Sequence, residues 1–96
     1  MKRMTRLDHA SARYWLDRSE IDMAGNSCSG PAVERLARFE NACVALLDRQ
    51  EKIAADLEAL RNRGRSNTVS FKQLLAEKLM NQAILVLFKS HGLELE

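Results

Sequence analysis

The chain has 96 residues, of which 29% are charged and 5% are aromatic, and its 15 basic and 13 acidic residues give a formal net charge of +2. This length predicts one domain with a modest core, and the composition is typical of a charged helical protein, not of a β-sandwich or β-barrel. A charge so close to neutral gives no global electrostatic argument for nucleic acid or a membrane as partner.

The first segment, residues 1–22, is predicted to form a short N-terminal helix. Thr5 can cap this helix, and Asp8 stands three residues later, where a capping box has its acidic or amide partner. Tyr14 and Trp15 are adjacent and therefore point about 100° apart on a helix. We expect them to attach the helix to the rest of the protein, the alternative being an exposed anchor for a partner.

The middle of the chain predicts a linker followed by a long helix. Residues 23–30 are rich in Gly, Ser and Asn and are expected to be flexible. Residues 31–63 are predicted to be helical, with Pro31 at the first helical position and Gly64 as the stop. Apolar residues recur at alternating spacings of three and four, which indicates a helix that packs along its length against another helix. This seam comprises Leu36, Phe39, Cys43, Leu46, Gln50, Ile53, Leu57 and Leu60.

Gln50 is the one polar position on this seam. Either it determines register or oligomeric state, as a buried polar residue does in a coiled coil, or its stem packs while its amide reaches solvent. The sequence leaves both interpretations open.

The last helix is predicted over residues 71–91. Ser70 and Gln73 fit a capping box at its start, and Gly92 fits the left-handed position at its end. Residues 83–88 are apolar all round, which is typical of a helix buried on several sides. A single antiparallel neighbour from the same chain would not cover them.

Together these features predict an all-α fold: a long antiparallel, coiled-coil-like helical hairpin in residues 31–96, preceded by the short N-terminal helix. Two such hairpins are expected to assemble as a homodimer with a four-helix-type core. The residues expected at interfaces are Leu36, Phe39, Leu46, Ile53, Leu57, Ile84, Leu85 and Phe88.

The tip between the two long helices is basic. No acidic residue occurs between Glu58 and Glu77, so the tip offers candidate phosphate contacts. These are Arg61, Arg63, Arg65 and Lys72. The simpler interpretation is a solvated tip with arginines that favour a helix C-terminus, and nucleic acid is accordingly not the expected partner.

No constellation of residues indicates catalysis, a metal or a cofactor. His9 and His91 lie far apart in sequence, and neither Cys28 nor Cys43 belongs to a ligand-type pair. The acidic residues have basic neighbours at helical spacing and are interpreted as surface ion pairs. No signal peptide or membrane-spanning run is visible, so a cytoplasmic, reducing location and no membrane partner are expected.

The stretch ALLDRQEKIA at residues 45–54 resembles part of the long first helix of the all-helical chorismate mutases, which are small intertwined dimers. The family pattern has an active-site arginine three positions before the Ile/Leu-Ala pair. In this chain Gln50 occupies that position, and Arg49 precedes it on a different face. The resemblance implies an enzyme as a remote alternative.

The function expected from the sequence is that of a non-enzymatic interaction or scaffold protein that acts as a homo-oligomer and presents surfaces to another, unidentified protein. The alternative is a nucleic-acid-associated factor that uses the basic tip at residues 61–65.

Overall fold

The computed structural model describes residues 1–95, which form two small β-hairpins followed by two α-helices. Strands β1 (Thr5–Asp8) and β2 (Arg13–Leu16) pair antiparallel, as do β3 (Asp22–Ala24) and β4 (Ser27–Ser29). A 3-10 helix at Arg18–Glu20 connects the two hairpins. Helix α1 covers Pro31–Asn62 and helix α2 covers Val69–Ser90. The chain divides into two compact units, Met1–Asn41 and Ala42–Glu96.

The prediction of an all-α fold with a four-helix-type core is therefore wrong, and so is the N-terminal helix. The chain is mixed, with two antiparallel two-stranded sheets beside the helices. Residues 23–30, predicted to be a flexible linker, contain most of the second hairpin. The division of the chain into residues 1–22, 23–30 and 31–96 stays a prediction. What the structure corrects is the conformation of the first two segments, which are β-hairpins and not a helix and a flexible linker.

The first hairpin forms because Asp8 stabilises a turn and not a helix. Its carboxylate accepts hydrogen bonds from the Ala10 N–H at 3.2 Å and from the Ser11 hydroxyl at 2.7 Å. These bonds lower the pKa of Asp8, the bond from Ser11 having the larger effect. Ala12 closes the turn with a φ of 57°, and its N–H donates to the Asp8 carbonyl oxygen at 2.8 Å. The same Asp8 that suggests a capping box in sequence therefore serves a local turn.

The second hairpin has a two-residue turn. Ala24 pairs with Ser27, so Gly25 and Asn26 connect the strands. Gly25 has a φ of 59°. A positive φ at the first central position is what two-residue hairpin turns favour, and glycine adopts it without steric cost.

Helix α1 begins where the sequence predicts. Gly30 precedes Pro31, and its carbonyl oxygen accepts the first helical hydrogen bond, from the Glu34 N–H at 3.0 Å. The helix ends at Asn62, one residue before the predicted end. Gly64 follows with a φ of 68° and forms the expected left-handed stop.

Helix α2 begins two residues earlier than predicted because Thr68 is its N-cap. The Thr68 hydroxyl accepts a hydrogen bond from the Phe71 N–H at 3.2 Å and donates one to the Arg65 carbonyl oxygen at 2.8 Å. The predicted capping role of Ser70 is thus wrong. At the other end, the Leu93 N–H donates to the Phe88 carbonyl oxygen at 3.0 Å. This is the hydrogen bond expected when a glycine, here Gly92, takes the left-handed position after a helix.

The core of the second unit lies near the tip of the helical hairpin. Ile53 and Leu57 of α1 are 0% and 1% exposed, and they pack with Phe71 of α2. Leu60, Leu74 and Leu75 pack around this cluster and are half-buried. Cys43 is the only other buried apolar residue among the described ones. Such a small core leaves much of the apolar surface of the helices uncovered.

Candidate assembly surface

Outside the apolar core, polar side chains also connect α1 to α2. Arg49 donates two hydrogen bonds to the Glu77 carboxylate, from Nε at 2.6 Å and from Nη2 at 2.8 Å. The bonds from Arg49 lower the pKa of Glu77, and the same interaction raises the pKa of Arg49. A two-pronged arginine–carboxylate pair fixes geometry, so it sets the register of α1 against α2.

Gln50 makes the second polar contact between the helices. Its Nε2 donates to the Lys78 carbonyl oxygen at 3.2 Å. Its Oε1 is buried and has no hydrogen-bond partner among the described residues. The seam glutamine therefore packs inside the hairpin, and its amide is only half satisfied.

The outer side of α2 is the candidate site for assembly. Successive side chains are 100° apart on a helix, so residues at spacings of three and four share one side of α2. On α2 the buried and half-buried positions lie on the side that faces α1, and the exposed apolar positions lie on the opposite side. The half-buried or buried positions include Phe71, Leu74, Leu75, Leu85 and Phe88. Positions on the opposite side form what we call the outer stripe: Ala76, Leu79, Met80, Ala83, Val86, Leu87 and Ser90.

Every member of the outer stripe is exposed, and none carries a charge. Leu79 and Met80 are 62% and 68% exposed, and Val86 and Leu87 are 57% and 55% exposed. The members recur at spacings of three and four over about 21 Å, at 1.5 Å per residue. This is a second heptad seam, in which small residues (Ala76, Ala83 and Ser90) alternate with pairs of large side chains, and such a pattern permits close approach of another helix.

The residues predicted at interfaces have different positions. Ile53 and Leu57 lie inside the hairpin core, and Leu46 and Leu85 are half-buried. Ile84 is 40% exposed and borders the outer stripe. Leu36 is exposed and Phe39 half-buried, both in the first unit.

The predictions missed Leu79, Met80, Val86 and Leu87 as surface residues, although their spacing was readable. The all-round apolar run at 83–88 suggested burial on every side and concealed the separation of α2 into two seams. The Arg49–Glu77 pair was also missed, since it joins residues whose proximity depends on the hairpin register.

The basic tip is exposed, but Arg61 already has a partner. Its guanidinium lies over the Phe71 ring, 5.2 Å from the centroid. Arg63, Arg65 and Lys72 are exposed. Stacking on a core aromatic gives Arg61 a structural role at the end of α1.

A shallow groove of about 380 Å³ lies beside Gln50 and is lined by Leu47, Gln50, Glu51, Lys78, Gln82 and Leu85. Arg49, the arginine nearest to the position where chorismate mutases carry theirs, is paired with Glu77.

Across residues 1–95 no group of three or more His, Cys, Asp or Glu side chains is placed to hold a metal ion. Nor is any helix in this part of the chain both long and apolar enough to cross a membrane.

Comparison with protein-family models, with curated proteins and with solved structures found no match to this chain. The functional argument therefore depends on the residues and their geometry.

Proposed function

We propose that this chain is a self-associating interaction protein and that two copies pair through the outer stripe of α2. The observation that carries the proposal is the uncharged, exposed seam of Leu79, Met80, Val86 and Leu87. Monomeric soluble proteins rarely leave large contiguous apolar patches open to water, and such patches mark interaction sites.

A second copy is the partner that fits this surface best. The stripe has heptad spacing with Ala83 at its centre, so a stripe from another chain can interdigitate with it in a symmetric, self-complementary contact. Complete burial of a large apolar side chain contributes about 1.5–3 kcal/mol, and each of the four still exposes more than half of itself. Two copies together gain an amount comparable with the roughly 4–15 kcal/mol that association costs. We therefore expect a reversible dimer whose population rises with protein concentration.

Sedimentation equilibrium over a range of micromolar concentrations tests the proposal. The unmodified chain is expected to approach twice its monomer mass of 10.9 kDa. Leu79→Glu is expected to give a monomer with unchanged helical circular dichroism, because the side chain is exposed within its own chain. Val44→Glu is the matched control, since Val44 is 56% exposed on α1.

A monomer at every concentration would overturn the proposal. Equal loss of association in the Leu79→Glu and Val44→Glu variants would also overturn it, because the interface would then not be specific to the stripe.

The proposal includes a non-catalytic role and a cytoplasmic location. The two cysteines support that location because both are unpaired. An assay for conversion of chorismate to prephenate tests the enzyme alternative, and turnover that is lost on Gln50→Ala would refute the non-catalytic role.

A further inference from the structure

The first unit contains a basic groove that the proposed self-association does not use. It has a volume of about 590 Å³ and is lined by Lys2, Met4, Pro31, Glu34, Arg35 and Arg38. Three of these residues are basic and one is acidic. A concave surface with this charge balance attracts anions.

The groove is held together by a contact between its two sides. Arg35 Nη1 donates to the Lys2 carbonyl oxygen at 2.6 Å, which joins the segment before β1 to the first turns of α1. The side chains of Lys2 and Arg38 are exposed. Both cations are therefore accessible to a ligand in the groove.

The basic surface continues along the first hairpin. Met4, which lines the groove, directly precedes β1, and Arg6 is the second residue of that strand. Arg6 stands opposite Trp15 in the neighbouring strand, and Arg13 is on the same side as Trp15. Trp15 is 54% exposed. An exposed indole thus stands beside Arg6 and Arg13, on the strand pair that begins directly after the groove residue Met4.

Acidic side chains offset part of this charge. Arg6 is paired with Asp17, and Asp8 stands opposite Arg13. The cations that line the groove or neighbour Trp15 still outnumber the carboxylates that line it or pair with them: Lys2, Arg6, Arg13, Arg35 and Arg38 against Asp8, Asp17 and Glu34. The ligand that complements this surface is anionic.

We propose that this surface, the groove together with Arg13 and Trp15, binds single-stranded nucleic acid. Phosphates occupy the basic groove and a base stacks on the Trp15 indole. A positive groove beside an aromatic platform is the arrangement by which proteins bind single strands without reading their sequence.

The geometry favours this ligand over an anionic membrane. Leu7 and Tyr14, the other exposed large apolar residues of the first hairpin, alternate to the opposite side of the strands. Apart from Trp15 and Met4, the basic side therefore presents little apolar area for insertion into lipid. An acidic peptide would satisfy the cations but would not need the exposed indole.

Trp15 is the only tryptophan in the chain, so its fluorescence reports directly on this surface. Titration of the full chain with a short oligothymidylate at low salt is expected to give saturable quenching. The logarithm of the association constant is expected to fall with the logarithm of salt concentration by about 0.7 for each phosphate contacted.

Variants locate the site, with a fluorescently labelled oligothymidylate and anisotropy as the measurement. Arg13→Ala and Arg38→Ala are each expected to reduce the salt slope by about 0.7. Trp15→Ala is expected to weaken binding about tenfold or more, and Trp15→Phe less, because an aromatic face remains. Arg63→Ala in the tip is the matched control and is expected to bind as the unmodified chain does.

Four results would overturn the inference. They are the absence of saturable quenching at low salt, equal affinity for dextran sulfate, tighter binding to phosphatidylserine vesicles than to the oligonucleotide, and loss of binding in Arg63→Ala but not in Arg13→Ala.

Discussion

Replacing Gln50 by leucine should stabilise the protein, although it removes a hydrogen bond between the helices. The bond that is lost, from Gln50 Nε2 to the Lys78 carbonyl oxygen, is 3.2 Å long. A typical hydrogen bond contributes about 0.5–1.5 kcal/mol net. The Lys78 carbonyl oxygen lies within α2 and keeps its hydrogen bond in the helix, so the substitution leaves no acceptor without a hydrogen bond.

The gain comes from the other amide atom. Gln50 Oε1 is buried without a hydrogen-bond partner among the described residues, and an unsatisfied buried polar atom costs about 1–3 kcal/mol. Leucine removes this cost and extends the apolar seam. We expect the free energy of unfolding to rise by about 1 kcal/mol, which corresponds to a rise of about 4–8 °C in the thermal midpoint.

Urea unfolding at fixed protein concentration, followed by far-ultraviolet circular dichroism, measures this change. Gln82→Leu is the control, because Gln82 is an exposed glutamine on α2, and it should leave the midpoint nearly unchanged. A loss of stability in Gln50→Leu would refute the reasoning. It would mean that Oε1 has a partner, such as a donor from a second chain, and that Gln50 determines register.

Three further substitutions test individual contacts. Arg49 holds the pKa of Glu77 below its usual value. Their pairing therefore stabilises the fold above the unfolded pKa of about 4.3, and this stabilisation is lost as the pH falls through the folded pKa. Glu77→Gln should reduce the free energy of unfolding at pH 7 and not at pH 2, and urea unfolding at both pH values would measure this. Ala12→Gly should stabilise the first hairpin by about 1 kcal/mol, because a positive φ strains alanine but not glycine, and tryptophan fluorescence during thermal melting would detect it. Arg61→Ala should cost about 0.5–1 kcal/mol through loss of its stacking on an aromatic ring, whereas Arg65→Ala should change the thermal midpoint little; equal effects would contradict the assignment.

The two helices could be predicted because several local signals agree on them. Pro31 at the start of α1, Gly64 after its end and the heptad seam each indicate the same helix, and the structure has it within one residue. The predicted start of α2 is two residues late, because Thr68 and Ser70 are both good caps and the sequence alone does not rank them.

The N-terminal region could not be predicted in the same way. Thr5 and Asp8 have capping-box spacing, yet Asp8 binds the Ala10 N–H and the Ser11 hydroxyl in a turn. Short polar side chains support either structure locally, and strands of three or four residues are too short for their alternation to be distinctive. The basic groove depends on the approach of Lys2 to Arg35, which are 33 residues apart, and no local pattern reveals it.

The two cysteines give the chain two thiols of different accessibility. Cys28 is exposed, with its Sγ 3.2 Å from Met23 Sδ, whereas Cys43 is 7% exposed. A maleimide should therefore modify the folded protein at one position and reach the other only when α1 loses its packing. A brief pulse of reagent, followed by mass spectrometry of peptides, would then measure how often that part of the helix opens, with no need to introduce a probe.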